Sequence, residues 1–232
     1  MEKKRILVVD DDPVIIELLV SALAEAGVEI YTANNGREGL QKFYAQRPDL
    51  VISDVMMPDM EGWEICRIIR QLSDVPIIML TIQADDTQII RGLDSGADDY
   101  ITKPFNAKVV LARVRAALRR AYQSTPVNNK SATYSDSYLT IDIEHNLVTV
   151  CGEPIKLTSL EYRLLAYLLQ HPNRVLTTQQ ILENVWGWEY QDEASHVRIY
   201  MWHLRQKLEA DPKKPKYLLT EYGLGYRFNT VG

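Results

Sequence analysis

Five times in the first half of the chain, a short β-branched apolar run is followed by a stretch of helical period. The runs are ILVV (6–9), VEIYTA (28–33), LVIS (50–53), VPIIML (75–80) and DYIT (99–102). The helix-period stretches are 13–26, 36–46, 61–72, 85–95 and 106–121. Such alternation predicts a parallel sheet, because parallel strands need long crossovers and those crossovers cover both faces. The runs are nearly continuous in apolar residues, as strands buried on both sides should be. Residues 1–121 are therefore expected to form an α/β doubly wound domain around a five-stranded parallel sheet.

The alternation stops after Arg119 and Arg120. The stretch QSTPVNNKSAT (123–133) lacks large apolar residues and reads as a linker, bounded at 122–133. Residues 134–232 change character: YLTID, LVTVCG and PIKLT suggest short antiparallel strands, followed by helical stretches at about 158–170, 177–185 and 193–208. The end of the chain, KYLLTEYGLGYRF (216–228), sets Gly223 and Gly225 between strand-like runs, a hairpin signal. Strands, three helices and a hairpin predict an α+β winged helix-turn-helix domain. A length of 232 residues, 46% of them hydrophobic, suits two separate cores.

The composition excludes several classes. No apolar run approaches the roughly 18 residues that cross a bilayer, and MEKKRILVVD has no signal-peptide core. Cys66 and Cys151 fall in different predicted domains, so a cytoplasmic protein without disulfides is expected, with no membrane partner. His145, His171, His196 and His203 show no metal-ligand spacing. Net charge is −5, yet residues 196–216 hold six cations against Glu209 and Asp211. One basic face on an acidic protein is enough to meet nucleic acid.

In a doubly wound sheet, ligands bind beyond the carboxyl ends of the strands, where the strand order reverses. Those ends carry Asp10, Asp11 and Asp12 after the first run, Asp54 after the third, Thr81 after the fourth and Lys103 after the fifth. Carboxylates so close repel unless a hard cation joins them, and an all-oxygen donor set favours Mg²⁺ over zinc. A carboxylate beside Mg²⁺ and an ammonium is a good phosphoryl acceptor, because both neutralise charge on the transferring oxygens. Singly, each residue has a plainer role: Asp54 as a strand-end carboxylate bonded to loop N–H groups, Thr81 as a turn residue, Lys103 as a solvated charge. Asp12 before Pro13 reads as a helix N-cap. It is their coincidence at successive strand ends that points to one site.

The motifs VVDD (8–11), SDVMMPDMEGWE (53–64), MLT (79–81) and GADDYITKPF (96–105) resemble the flavodoxin-like receiver domain of two-component response regulators. The resemblance implies Asp54 as phosphoacceptor, and Asp10, Asp11 and the Met56 backbone carbonyl as further metal ligands. It implies that Lys103, next to a cis Lys103–Pro104 peptide, contacts the phosphoryl oxygens, and that Thr81 and Tyr100 form the switch. Phosphatases of the haloacid-dehalogenase type also use an aspartate nucleophile, but with a second acid two positions on, where this chain has Met56.

The stretches LTSLEYRLLAYLLQHPNRVLTTQQILENVWG (157–187), VRIYMWHLRQKLE (197–209) and TEYGLGYRF (220–228) resemble the winged-helix output domain of the OmpR/PhoB family, with YMWHLRQKLE and GLGYRF nearest the KdpE branch. Independently, Val197, Met201, Leu204 and Leu208 recur at core-facing helical spacing. That leaves Arg198, Trp202 and Arg205 on an outward stripe, with Ser195, Ile199, His203 and Gln206 beside it. DNA contacts are expected from Arg198, Trp202, His203, Arg205 and, on the wing, Tyr222. Relatives more often carry arginines at positions 202 and 203, an acid at 198 and an arginine on the wing, so a shallow salt dependence is expected here. Trp186 and Trp188 are expected to anchor the loop before this helix, which in relatives can meet RNA polymerase.

The resemblance further implies a sensor histidine kinase as phosphodonor, homodimerisation on phosphorylation, and binding to direct-repeat half-sites of promoter DNA. Asp98, Asp99, Arg113 and Arg120 stand where intermolecular salt bridges are expected. A third such pair is replaced by Ile89 and Val109, which with Ile90, Leu93 and Leu111 suggests a more apolar dimer face. The chain is expected not to be an enzyme beyond self-dephosphorylation. The rival readings are a regulator that binds DNA without phosphorylation control, and a phosphotransfer or phosphatase protein whose second domain is an interaction module.

Overall fold

A computed structural model describes residues 3–82, 95–122, 132–190 and 193–230. The chain divides into two units, Met1–Gln123 and Ser124–Gly232. In the first, strands β1 (Arg5–Val9), β2 (Glu29–Ala33), β3 (Leu50–Asp54), β4 (Ile77–Thr81) and β5 (Asp99–Thr102) form one parallel sheet in the order β2-β1-β3-β4-β5. Helices α1 (Pro13–Leu23), α2 (Gly36–Gln46), α3 (Gly62–Arg70) and α4 (Ala107–Tyr122) are described beside it. The helix expected at 85–95 lies almost wholly outside the described residues.

Alternate residues of the strands build the core on one face of the sheet. Ile6, Val8, Leu50, Ile52, Ile78, Leu80 and Ile101 pack with Leu19 and Leu23 of α1 and Val110 and Val114 of α4. At about 1.5–3 kcal/mol for each large apolar side chain removed from water, this cluster fixes the register of every strand. The order reverses between β1 and β3, and that is where Asp10, Asp11 and Asp54 emerge.

The second unit opens with an antiparallel sheet of β6 (Thr133–Ser135), β7 (Leu139–Asp142), β8 (Leu147–Val150) and β9 (Glu153–Pro154). The strand expected from PIKLT is confined to β9, and β6 was not anticipated. Next come α5 (Ser159–Leu169), α6 (Thr178–Ile181) continued by a π-helical turn (Leu182–Trp186), and α7 (Ala194–Leu208). Helices α5 and α6 each begin with a reciprocal capping box, Thr158 with Glu161 and Thr177 with Gln180. The hairpin of β11 (Leu218–Glu221) and β12 (Gly225–Phe228) is the wing, and a short β10 (Leu176–Thr177) pairs with β12. Helix α7 packs against α5, α6 and β11. Among the described residues, no helix is long and apolar enough to cross a membrane.

Candidate functional site

The carboxylates of Asp10, Asp11 and Asp54 converge so that one oxygen of each lies within 4.8 Å of the others. Asp10 and Asp54 are buried, while Asp11 opens to solvent. The Lys103 ammonium sits between the two buried acids, donating to Asp10 Oδ2 at 2.8 Å and lying 2.9 Å from Asp54 Oδ1. Its position follows from β5, the Lys103 N–H donating to the Thr81 carbonyl at 2.6 Å, and the Lys103–Pro104 peptide is cis. Thr81 and Tyr100 are both buried.

Burial pushes the Asp54 carboxyl above its ordinary range, against the pull of Lys103. Burial would depress the Lys103 ammonium, but hydrogen bonds to Asp10 and Asp54 outweigh it and the net direction is up. The ammonium is thus held charged where two carboxylates would otherwise repel.

Several residues around this cluster build its frame. Asp12 accepts from the Val14 N–H at 2.9 Å and caps α1, as read from the sequence. The Asp12 N–H in turn donates to Asp10 at 2.9 Å. Gly62 admits no side chain, because a Cβ there would lie 2.0 Å from the Asp54 carbonyl oxygen. Sequence reasoning missed Asp59, which accepts from the N–H groups of Gly36 and Arg37 at 3.0 and 3.1 Å. It ties the loop carrying the exposed Met56 to the start of α2. The signal available was an acid five residues after Asp54, with nothing in the sequence to name its partner.

The charged residues assigned to a dimer face are engaged inside the receiver. Asp98 pairs with Arg70 and accepts from the Ile77 N–H, and Asp99 pairs with Arg113 at 2.9 Å. Asp98, Asp99 and Arg113 are buried, so in this chain they are intramolecular ion pairs rather than presented charges. Arg70, 28 positions before the nearest of them, gave no sign of this role. Arg120 is within electrostatic range of Asp98. Val109 is exposed, while Leu111 packs partly against the core. Ile89, Ile90 and Leu93 lie outside the described residues.

On the second unit, the exposed stripe of α7 is Ala194, Arg198, Trp202 and Gln206. Three expectations are corrected here. His203 and Ile199 are buried, since α7 packs on three elements and shows solvent only one narrow face. His203 lies edge-on against Trp202 with ring centroids 5.0 Å apart. Arg205 is half-buried, and its guanidinium grips the wing: Nε and Nη2 donate to the Leu218 carbonyl at 2.8 and 2.6 Å, and Nη2 to the Thr220 hydroxyl at 2.7 Å. Lys207 also turns inward, donating to Glu161 at 2.6 Å. Tyr222 is exposed at the wing tip. Trp186 is a buried anchor packed edge-on against Tyr200, but Trp188, expected to be a second anchor, is 70% exposed.

Two family models match: "Response regulator receiver domain" over residues 6–115 and "Transcriptional regulatory protein, C terminal" over residues 152–228. A probable transcriptional regulatory protein of Picosynechococcus is 42% identical, the match covering 97% of this chain and 93% of that protein. The KDP operon transcriptional regulatory protein KdpE of Escherichia coli is 40% identical, over 96% of this chain and 98% of that one. Identities so similar single out no branch. The crystal structure of DrrB, an OmpR/PhoB homologue of Thermotoga maritima, is similar with a TM-score of 0.52 at 34% identity, covering 98% of this chain and all of that one.

Proposed function

The chain belongs to the OmpR/PhoB family of response regulators, phosphorylation-dependent transcriptional regulators served by histidine kinases, and on that premise we propose that Asp54 is its phosphoacceptor. The observation that carries this is the cluster of Asp10, Asp11 and Asp54 around Lys103 at the point where strand order reverses.

Three carboxylate oxygens within reach of one another, one acid open to solvent, fit a hard divalent cation. In this reading Asp10, Asp11, Asp54 and the Met56 backbone carbonyl hold Mg²⁺. The ion, when bound, supplies positive charge to the phosphoryl oxygens and lowers repulsion between them and the acids.

An Asp54 carboxylate oxygen attacks the phosphorus of a phosphohistidine on the kinase. The P–N bond breaks, its electron pair returns to the imidazole, and an acyl phosphate forms on Asp54. Lys103 already lies 2.9 Å from Asp54 and is held by Asp10, so it follows the new anion without an ordering cost. Thr81, at the end of the neighbouring strand, donates its hydroxyl to a phosphoryl oxygen, and Tyr100 on β5 packs inward in concert. The chain is acceptor and switch, not a turnover enzyme.

The output is DNA binding in the cytoplasm by α7, with Arg198 and Trp202 toward the major groove. Phosphorylation favours a homodimer on direct-repeat half-sites, built around the exposed Val109 face, and the exposed Trp188 loop meets RNA polymerase.

Incubation of the full chain with phosphoramidate and Mg²⁺, followed by phosphate-affinity electrophoresis, tests the acceptor. Wild type shifts and Asp54→Asn does not; equal shifts in both would remove Asp54 from the role.

A further inference from the structure

The wing carries its two most exposed large side chains at its tip. Tyr222 is 93% exposed and Leu224 64%, on either side of Gly223. Such solvent exposure of two apolar groups on a three-residue projection gains nothing for the fold.

The hairpin beneath them is rigid. Its four cross-strand pairs run from Leu218 with Phe228 to Glu221 with Gly225, and the turn is closed by the Leu224 N–H donating to the Glu221 carbonyl at 2.9 Å. Directly beneath the tip, β12 lies against β10 so closely that a Cβ on Gly225 would sit 2.0 Å from the Leu176 carbonyl oxygen. Arg205 joins the same hairpin to α7 through Leu218 and Thr220. The tip therefore stands at a set distance from Arg198 and Trp202, the exposed side chains of α7.

The wing's own cation is turned back on itself. Arg227 bonds Glu221 through Nε at 2.9 Å and Nη2 at 2.7 Å, which neutralises both charges just below the tip. What the wing offers beyond that pair is an aromatic ring and an isobutyl group. A minor groove about 6 Å wide admits a flat ring, and apolar side chains enter where a base step opens readily.

We propose that Tyr222 and Leu224 form an apolar wedge that the wing inserts into the minor groove beside the site read by α7. It selects deformable pyrimidine–purine steps rather than a charged or narrow groove. Arg205 is the positioning residue that sets the spacing between the two readings. The wedge rests on DNA binding by this domain, continuous with the α7 face, and the occupant is duplex DNA.

The test uses the full-length chain treated with phosphoramidate and a random-sequence duplex library, from which wild type and variants each select binders. Wild type should enrich a TA or CA/TG step at a constant distance from the sequence read by α7. The double variant Tyr222→Ala/Leu224→Ala should lose that step while keeping the α7 sequence, and bind the wild-type duplex roughly tenfold to a hundredfold more weakly. Its salt dependence should match wild type, because no phosphate contact is lost, whereas Tyr222→Arg should steepen the slope by about one. In the selected duplex, 2-aminopurine at the enriched step should brighten with wild type and stay quenched with the double variant. Arg205→Gln should blur the spacing between the two sequences while each is still enriched. Both tip residues are exposed, so thermal unfolding of the double variant serves as the check that its fold is intact. Unchanged affinity and step preference in the double variant, with wild type selecting duplexes, overturns the wedge alone. A wild-type chain that enriches no duplex overturns DNA binding and the wedge together.

Discussion

The receiver cluster and the face of α7 use charge in opposite ways. At the cluster, an ammonium and two carboxylates are buried together within 3 Å contacts, each necessary to the others. Of the three cations of α7, Arg205 and Lys207 spend their donors inside the domain and Arg198 lies exposed. Buried charge must be paired, so it is the fold that holds it; an exposed cation stands where a partner can reach it. The difference teaches that cations counted along a helix overstate what DNA will meet.

The largest effect should come from breaking the buried side of that contrast. Lys103→Met leaves Asp10 and Asp54 facing each other without their cation, and should cost the receiver about 3 kcal/mol. Hydrogen exchange of the β1 and β3 amides reads this, and added Mg²⁺ should restore part of the protection by binding the three acids. Undiminished protection without Mg²⁺ would show that the acids do not depend on Lys103.

A smaller effect should separate the two arginines of α7. Arg198→Ala should weaken binding to a selected duplex by about 1–3 kcal/mol and lower the melting temperature less than Arg205→Ala does. Arg205→Ala orphans the Leu218 carbonyl and should lower stability by about 1–2 kcal/mol before any effect on DNA is considered. If both variants melted like wild type, Arg205 would belong with Arg198 on the binding face.

The smallest concerns acid. Asp136 accepts from the N–H groups of Leu139 and Tyr138 and from the Tyr217 and Tyr134 hydroxyls. Burial opposes ionisation, but these bonds win and bring its carboxyl down to about 2, below its ordinary 3.8. A depressed carboxyl stabilises the folded state above the unfolded value and loses that contribution as pH falls through the folded one. The stability gap between wild type and Asp136→Asn should therefore be constant above pH 4 and close between pH 4 and about 2, which denaturant titration of the second unit measures. A gap that persists at pH 2 would assign the Asn effect to lost geometry rather than charge.

The first domain and its cluster were legible in sequence because both are topological. Apolar runs alternating with helices dictate a parallel sheet, and the strand ends then collect Asp10, Asp54, Thr81 and Lys103 whatever the details of packing. The capping role of Asp12 was equally local, needing only Pro13 beside it. The ion pairs of Asp98 and Asp99 were not legible as internal, because Arg70 lies 28 positions before Asp98 and only the fold joins them.

On α7 the periodicity of Val197, Met201, Leu204 and Leu208 correctly gave the buried side, and all four are in the core. It could not give the width of that side. A helix against one layer exposes half its circumference; α7 is packed by α5, α6 and β11, and its exposed face narrows to Arg198, Trp202 and Gln206. Sequence alone therefore determined which residues chemistry gathers at the strand ends and that a helix and a wing follow. Tertiary structure alone decided that His203 is interior, that Arg205 serves the wing, and that Leu224 joins Tyr222 at the wing tip. The reason is physical: strand ends are ordered by backbone connectivity, which sequence patterns carry, whereas the exposure of a helix residue depends on neighbours brought together from distant parts of the chain.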